Sequence, residues 1–109
     1  MQRIHIALGV ENVDASIEEY NRILGVPACV VVAGEYALWR TQTVNFSIRR
    51  CQKNETGTLR HLGWEDECSS GFKISTDVNG IVWEHFSLNE QLTEIKNRWQ
   101  DADIDIKHD

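Results

Sequence analysis

The chain has 109 residues, a formal net charge of −6, 41% apolar side chains and 26% charged ones. That length and balance describe one folded domain with a core that needs no disulfide staples, and they exclude extended disorder. Acidity without a basic cluster argues against nucleic acid and anionic membrane as partners, and no apolar run approaches the roughly 20 residues of a membrane-spanning helix.

The N-terminus shows no basic segment followed by an apolar run, so no secretory leader is expected and the predicted location is cytoplasmic. Cys29, Cys51 and Cys68 are odd in number and form no CxxC pair. Reduced thiols are the expectation, with Cys29 as a small core residue.

Residues 3–9 alternate, with Ile4, Ile6 and Leu8 on one face and His5 and Ala7 on the other, which predicts a strand. The period then changes. Val13, Ile17, Tyr20 and Leu24 form one helical stripe, Asn12 or Asp14 can cap its start, and Gly25 and Pro27 end it. Residues 28–33 are β-branched and extended, and Gly34-Glu35 turns the chain into a strand at 36–40. In the next strand, 44–50, Val44, Phe46 and Ile48 oppose Asn45, Ser47 and Arg49.

Residues 53–57 form a polar loop, 58–64 a strand carrying His61, and 65–71 an acidic loop. An extended piece at 72–75 leads to the turn signal Asp77-Val78-Asn79-Gly80 and a strand at 81–86. Ser87 and Glu90 have capping-box spacing, and Leu88, Leu92, Ile95 and Trp99 repeat as a helical stripe, predicting a helix within 87–100. Residues 103–107 alternate weakly, as an edge strand or a tail, and the acid-rich end from Asp101 is expected to fray.

Two stretches resemble the vicinal-oxygen-chelate superfamily, which includes glyoxalases, bleomycin-resistance proteins and extradiol dioxygenases. One runs from Ile4 through His5 and Asp14-Ala15-Ser16 to Tyr20 and Leu24-Gly25. The other is Asp77-Val78-Asn79-Gly80-Ile81-Val82-Trp83-Glu84, with Val78 where that family usually carries proline. Leu59-Arg60-His61-Leu62-Gly63 is similar to the strand that opens the family's second module.

The resemblance implies an α+β fold. A βαβββ module over 1–52 would form a curved mixed sheet with a helix on its convex face. An abbreviated second module would occupy 58–86, and the C-terminal helix would follow. Only 22 residues separate His61 from Glu84, too few for a whole module. The exposed strand edge this leaves implies a homodimer.

By the same resemblance, His5, His61 and Glu84 occupy three of the family's four ligand positions. The remaining one, the second in chain order, falls near Ser47, a hydroxyl where metal-binding members carry an acid or a histidine. Two histidines and a carboxylate suit a divalent ion such as nickel, zinc, manganese or iron, with Glu84 as the carboxylate able to move a proton. Arg49, Ser47 and Trp39 are candidate pocket residues for a small-molecule ligand: Arg49 for a carboxylate, Trp39 and Trp64 as aromatic walls.

Each residue also has a purely structural role open to it. His5 and His61 can be hydrogen-bonded strand residues, Glu84 a partner for Arg40, Arg49 or Arg50, Arg49 a surface charge, and the tryptophans core. Alternation turns Trp83 and His85 away from Glu84. Three functions follow as expectations: a metal-dependent isomerase, lyase or dioxygenase; a metal-free small-molecule-binding protein; or an accessory dimer without catalysis.

Overall fold

The N-terminal alternation becomes β1 (Gln2–Val10), with Arg3, His5 and Ala7 buried and Ile4, Ile6 and Leu8 half-buried. There follow α1 (Val13–Leu24), β2 (Val30–Val32), β3 (Tyr36–Arg40), β4 (Val44–Arg50) and a 3-10 turn at Lys53–Glu55. The chain continues through β5 (Leu59–Asp66), β6 (Lys73–Thr76), β7 (Val82–Phe86), α2 (Leu88–Arg98) and β8 (Asp103–Ile104). The computed structural model describes residues 1–106 of this α+β chain; Lys107, where the weak alternation ends, and the last two residues of the tail expected to fray lie outside the described residues. Among the described residues, no helix is long and apolar enough to cross a membrane.

The eight strands form one mixed sheet in the order β6-β7-β5-β1-β4-β3-β2-β8. β1 lies at its centre, parallel to β4 and antiparallel to β5. β5 is parallel to β7, and β6 returns antiparallel at the edge. The weak alternation after α2 yields a two-residue strand that pairs with β2 and closes the other edge.

The two helices lie on opposite faces, as the alternation of β3 shows. Ala37 and Trp39 join Val10, Val13 and Ile48 in the core under α1, with Ile17, Tyr20 and Phe46 packed against them. Tyr36 and Leu38, one residue out of phase, join Val30, Val32 and Ile95 under α2, with Leu92 and Trp99 alongside. Each helix turns the stripe seen in the sequence toward the sheet, with Val13 and Ile95 its buried members, and each has the cap its ends require. The Asn12 side chain accepts from the Ala15 N–H, Gly25 adopts the left-handed conformation after the last turn, and Ser87 and Glu90 form a reciprocal capping box.

The boundary that departs furthest from expectation is the end of β5. β5 runs on through Glu65 and Asp66, residues expected in an acidic loop, because antiparallel pairing continues as far as Gln2↔Asp66. The partners that Glu65 finds there are described below. Within β5, Gly63 lies so close to β7 that an added Cβ would stand 2.2 Å from the Glu84 carbonyl oxygen. No larger residue lets the two strands meet at that point.

Candidate metal centre

The site grows from three neighbouring strands on the α2 face. His5 on β1 pairs with Gly63 on β5, and Gly63 pairs with Glu84 on β7. His61 is two residues before Gly63 and shares its face. The three side chains therefore converge over a glycine, which leaves the space between them open. The His5 and His61 Nε2 atoms are 3.0 Å apart, and His61 Nε2 is 3.0 Å from Glu84 Oε1. One donor atom from each of the three residues lies within 4.8 Å of the others.

These spacings suit a shared cation. Two ligands about 2.1 Å from an ion and at right angles around it are separated by about 3.0 Å. His5 is buried, and His61 and Glu84 are half-buried. A nitrogen–oxygen donor set of this kind, with one face open to a cavity, fits a divalent metal with room for further ligands.

The orientation of His5 is set from behind. Glu65 is a carboxylate and can only accept hydrogen bonds. It therefore draws the Asn45 Nδ2 donor toward its Oε1, at 2.8 Å, and Nδ2 also donates to Gln91 Oε1 at 2.8 Å. The Asn45 Oδ1 is thereby turned to His5 Nδ1, 2.8 Å away, where it must accept. The His5 proton accordingly sits on Nδ1, and the Nε2 lone pair points at His61 and the open space. Burial pushes the His5 imidazole below its ordinary value, and the Asn45 hydrogen bond offsets this only in part. His5 is thus a neutral, oriented donor at neutral pH.

Glu65 itself is held by four donors. Arg40 grips it through two nitrogens, at 2.8 Å each, Arg3 contributes at 2.9 Å, and Asn45 completes the set. Burial raises the Glu65 carboxyl, yet Arg40, Asn45 and Arg3 together outweigh it and hold the group below the usual carboxylate range.

Beyond the three donors, a cavity of about 480 Å³ opens between the sheet and α2. Ser47 and Arg49 line it, as do Tyr36, Phe86, Gln91 and Trp99. Ser47 is buried beside the Tyr36 phenol. Burial pushes that phenol far above its ordinary value, so it stays protonated. Phe86 packs edge-on to His5, with ring centres 5.0 Å apart, and Phe72 stacks on Phe86 at 5.2 Å.

Two aromatic candidates are not brought to this cavity. Trp39 is fully buried in the α1 core, where its Nε1 donates to Asn21 Oδ1 at 2.8 Å. Its partner across the ladder is Phe46, which fixes it on the face away from His5. Trp39 is a core residue, a correction to its expected place in the pocket. Trp64 pairs with Ile4 on that same far face. His85 and Trp83 also turn away, His85 to Asp66 Oδ2 at 2.9 Å and Trp83 to Asp77 Oδ2 at 2.9 Å. Arg40 and Arg50, considered as partners for Glu84, pair with Glu65 and Glu35 instead.

Sequence reasoning overlooked Asn45, Gln91 and Glu65 as supports of the site. The signal for Asn45 was its period-two alignment with Ser47. Gln91 was a polar residue on the apolar stripe of α2, four positions before Ile95. Glu65 continues the face of His61 and Gly63, but only if β5 is extended past Trp64.

In comparisons with known proteins, no family model matches this chain, and no curated protein matches it.

Proposed function

We propose that the chain binds a divalent metal ion through His5, His61 and Glu84 and holds a small molecule against it in the cavity beneath α2. The observation that carries this is the pair of 3.0 Å contacts through His61, with a buried, neutral His5 whose tautomer presents its lone pair to the others. A bound divalent ion would polarise a carbonyl or chelate adjacent ligand oxygens. The protein's own part is to orient His5 through Asn45, to keep the cavity walled by Phe86 and Tyr36, and to offer Glu84 as the carboxylate that takes up or returns a proton.

The glyoxalase-like arrangement of two related halves belongs to the same proposal. It is supported by the repeated pairing in which β1 is parallel to β4 and β5 is parallel to β7. In this arrangement the second half lacks a helix and one strand, and α2 lies over the site face. Pairing of two copies along β6, whose four residues are all exposed, is a further part of the reading. Sedimentation would show a dimer; a monomer at all concentrations would remove this part.

The test of the metal site is dialysis of the purified chain against nickel, zinc, manganese and ferrous ions, followed by measurement of metal per chain. Near one ion per chain is expected, with loss in Glu84→Ala. Retention of none overturns the metal reading. It would favour metal-free ligand binding, for which the Ser47 hydroxyl, the His5–His61 hydrogen bond and the His61–Glu84 contact are the supporting features.

A further inference from the structure

The mouth of the cavity carries a charge pattern that the metal reading does not use. The sequence has seven arginines. Four of them are paired with carboxylates: Arg3 and Arg40 with Glu65, Arg22 with Glu19, and Arg50 with Glu35. The other three, Arg49 on β4, Arg60 on β5 and Arg98 at the end of α2, all line the one cavity that contains His5, His61 and Glu84. Among the described residues, no carboxylate lies within ion-pair distance of any of these three.

Like charges from three separate elements have been brought together in a chain whose net charge is −6. The guanidiniums of Arg49 and Arg98 are 5.5 and 5.7 Å from the centre of the Trp99 ring. Trp99 in turn lies 5.0 Å from Tyr36. The aromatic faces partly offset the clustering of cations, but they supply no counter-charge. Burial, with repulsion from Arg98 and Arg60, pulls the Arg49 guanidinium below its ordinary value. The acidic lining residues are Glu84, already engaged with His61, and the exposed Glu94.

The walls between the two ends of the cavity are aromatic, Phe72 on Phe86 toward His5 and Tyr36 with Trp99 toward the arginines. A planar guanidinium matches a carboxylate in a two-point contact, and flat walls suit a flat ligand body.

We propose that Arg49, Arg60 and Arg98 bind the carboxylate of a small aromatic acid whose body lies along these walls. The proposal names the ligand class for the cavity assigned above. It rests on the metal reading only for the far end of the ligand, where an oxygen beside the ring would reach the His5, His61 and Glu84 donors.

The experiment is calorimetric titration of the full chain with 4-hydroxybenzoate, first with EDTA present and then after zinc loading. The uncharged 4-hydroxybenzyl alcohol serves as comparator. The acid is expected to bind in EDTA, more weakly as salt is raised, and the alcohol to show no binding at the same concentrations. Arg60→Gln and Arg98→Gln, both at exposed positions, should each weaken the acid about tenfold, as loss of one charge-assisted contact does. Arg22→Gln on α1 should leave it unchanged.

Equal binding of acid and alcohol, no binding of the acid in either state, or full affinity in both arginine variants would overturn the proposal. The two ideas fail separately. Acid binding in EDTA without zinc uptake supports the arginine site and removes the metal. Zinc retention without acid binding does the reverse.

Discussion

Replacing Glu65 with leucine is expected to destabilise the protein by about 3–5 kcal/mol, the cost of removing the carboxylate from a buried ion-pair network. Arg3 and Arg40 both point into this group, and their side chains are only 10% and 13% exposed, so neither reaches enough water to compensate. For a domain whose total stability is on the order of 5–15 kcal/mol, that loss is severe. Urea denaturation read by circular dichroism checks it. Replacing Arg3, Arg40 and Glu65 together with apolar residues should recover much of the loss, since the desolvation cost disappears with the charges. A Glu65→Leu variant as stable as the wild type would show that the buried network contributes nothing.

The same network predicts acid sensitivity. The Glu65 carboxyl is held below its unfolded value, so its contribution is complete above about pH 4.3 and is lost as pH falls through the lowered value. His5 is likewise lowered, because burial disfavours its charged form. Its contribution is complete above about pH 6.5, the unfolded histidine value, and declines below it as the unfolded chain takes up the proton more readily. The denaturation midpoint should therefore be flat above neutrality, begin to fall below about pH 6.5, and fall again in the carboxylate range. The second decline should be shallower in Glu65→Leu, where Asp66, Asp77 and Glu90, also held below the usual carboxylate range by hydrogen bonds, still contribute.

Asn45→Leu should weaken metal binding about tenfold, the low end of the 10–100-fold range for losing a group that orients a ligand. The side-chain oxygen of Asn45 accepts from His5 Nδ1 at 2.8 Å, and the residue's own carbonyl stands 3.2 Å from the same nitrogen. The carbonyl survives the substitution, which is why the loss is partial. Removal of the amide also frees Glu65 and Gln91 from their shared donor. Competition with a chelating dye reads the affinity, and nitrogen NMR of the metal-free chain reads the tautomer. The proton should sit on Nδ1 in the wild type and be divided between both nitrogens in the variant. An unchanged tautomer with unchanged affinity would show that Asn45 does not position His5.

Much of the local structure was legible in the amino-acid order because it depends on short-range rules. Period-two runs marked β1 and β4, the Gly34-Glu35 turn marked the entry to β3, and the stripes from Val13 to Leu24 and from Leu88 to Trp99 marked both helices. Their ends followed from the capping chemistry of Asn12, Gly25 and Ser87. The alternation that puts His5 opposite Ile4 and Ile6, and turns His85 away from Glu84, is equally local.

What the order of residues left open was set by which strands become neighbours. Glu65 looked like part of a polar loop because nothing nearby in the chain reveals that Arg3, Arg40 and Asn45 converge on it from 20 to 62 positions away. Trp39 looked like a pocket wall until its pairing with Phe46 committed it to the α1 face. The side of the sheet taken by α2 decided that Gln91 would support His5 and that Arg98 would join Arg49 and Arg60. Periodicity determines which side chains share a face. Only the tertiary pairing of strands and the docking of a helix determine what that face meets, because those contacts join residues the chain holds far apart.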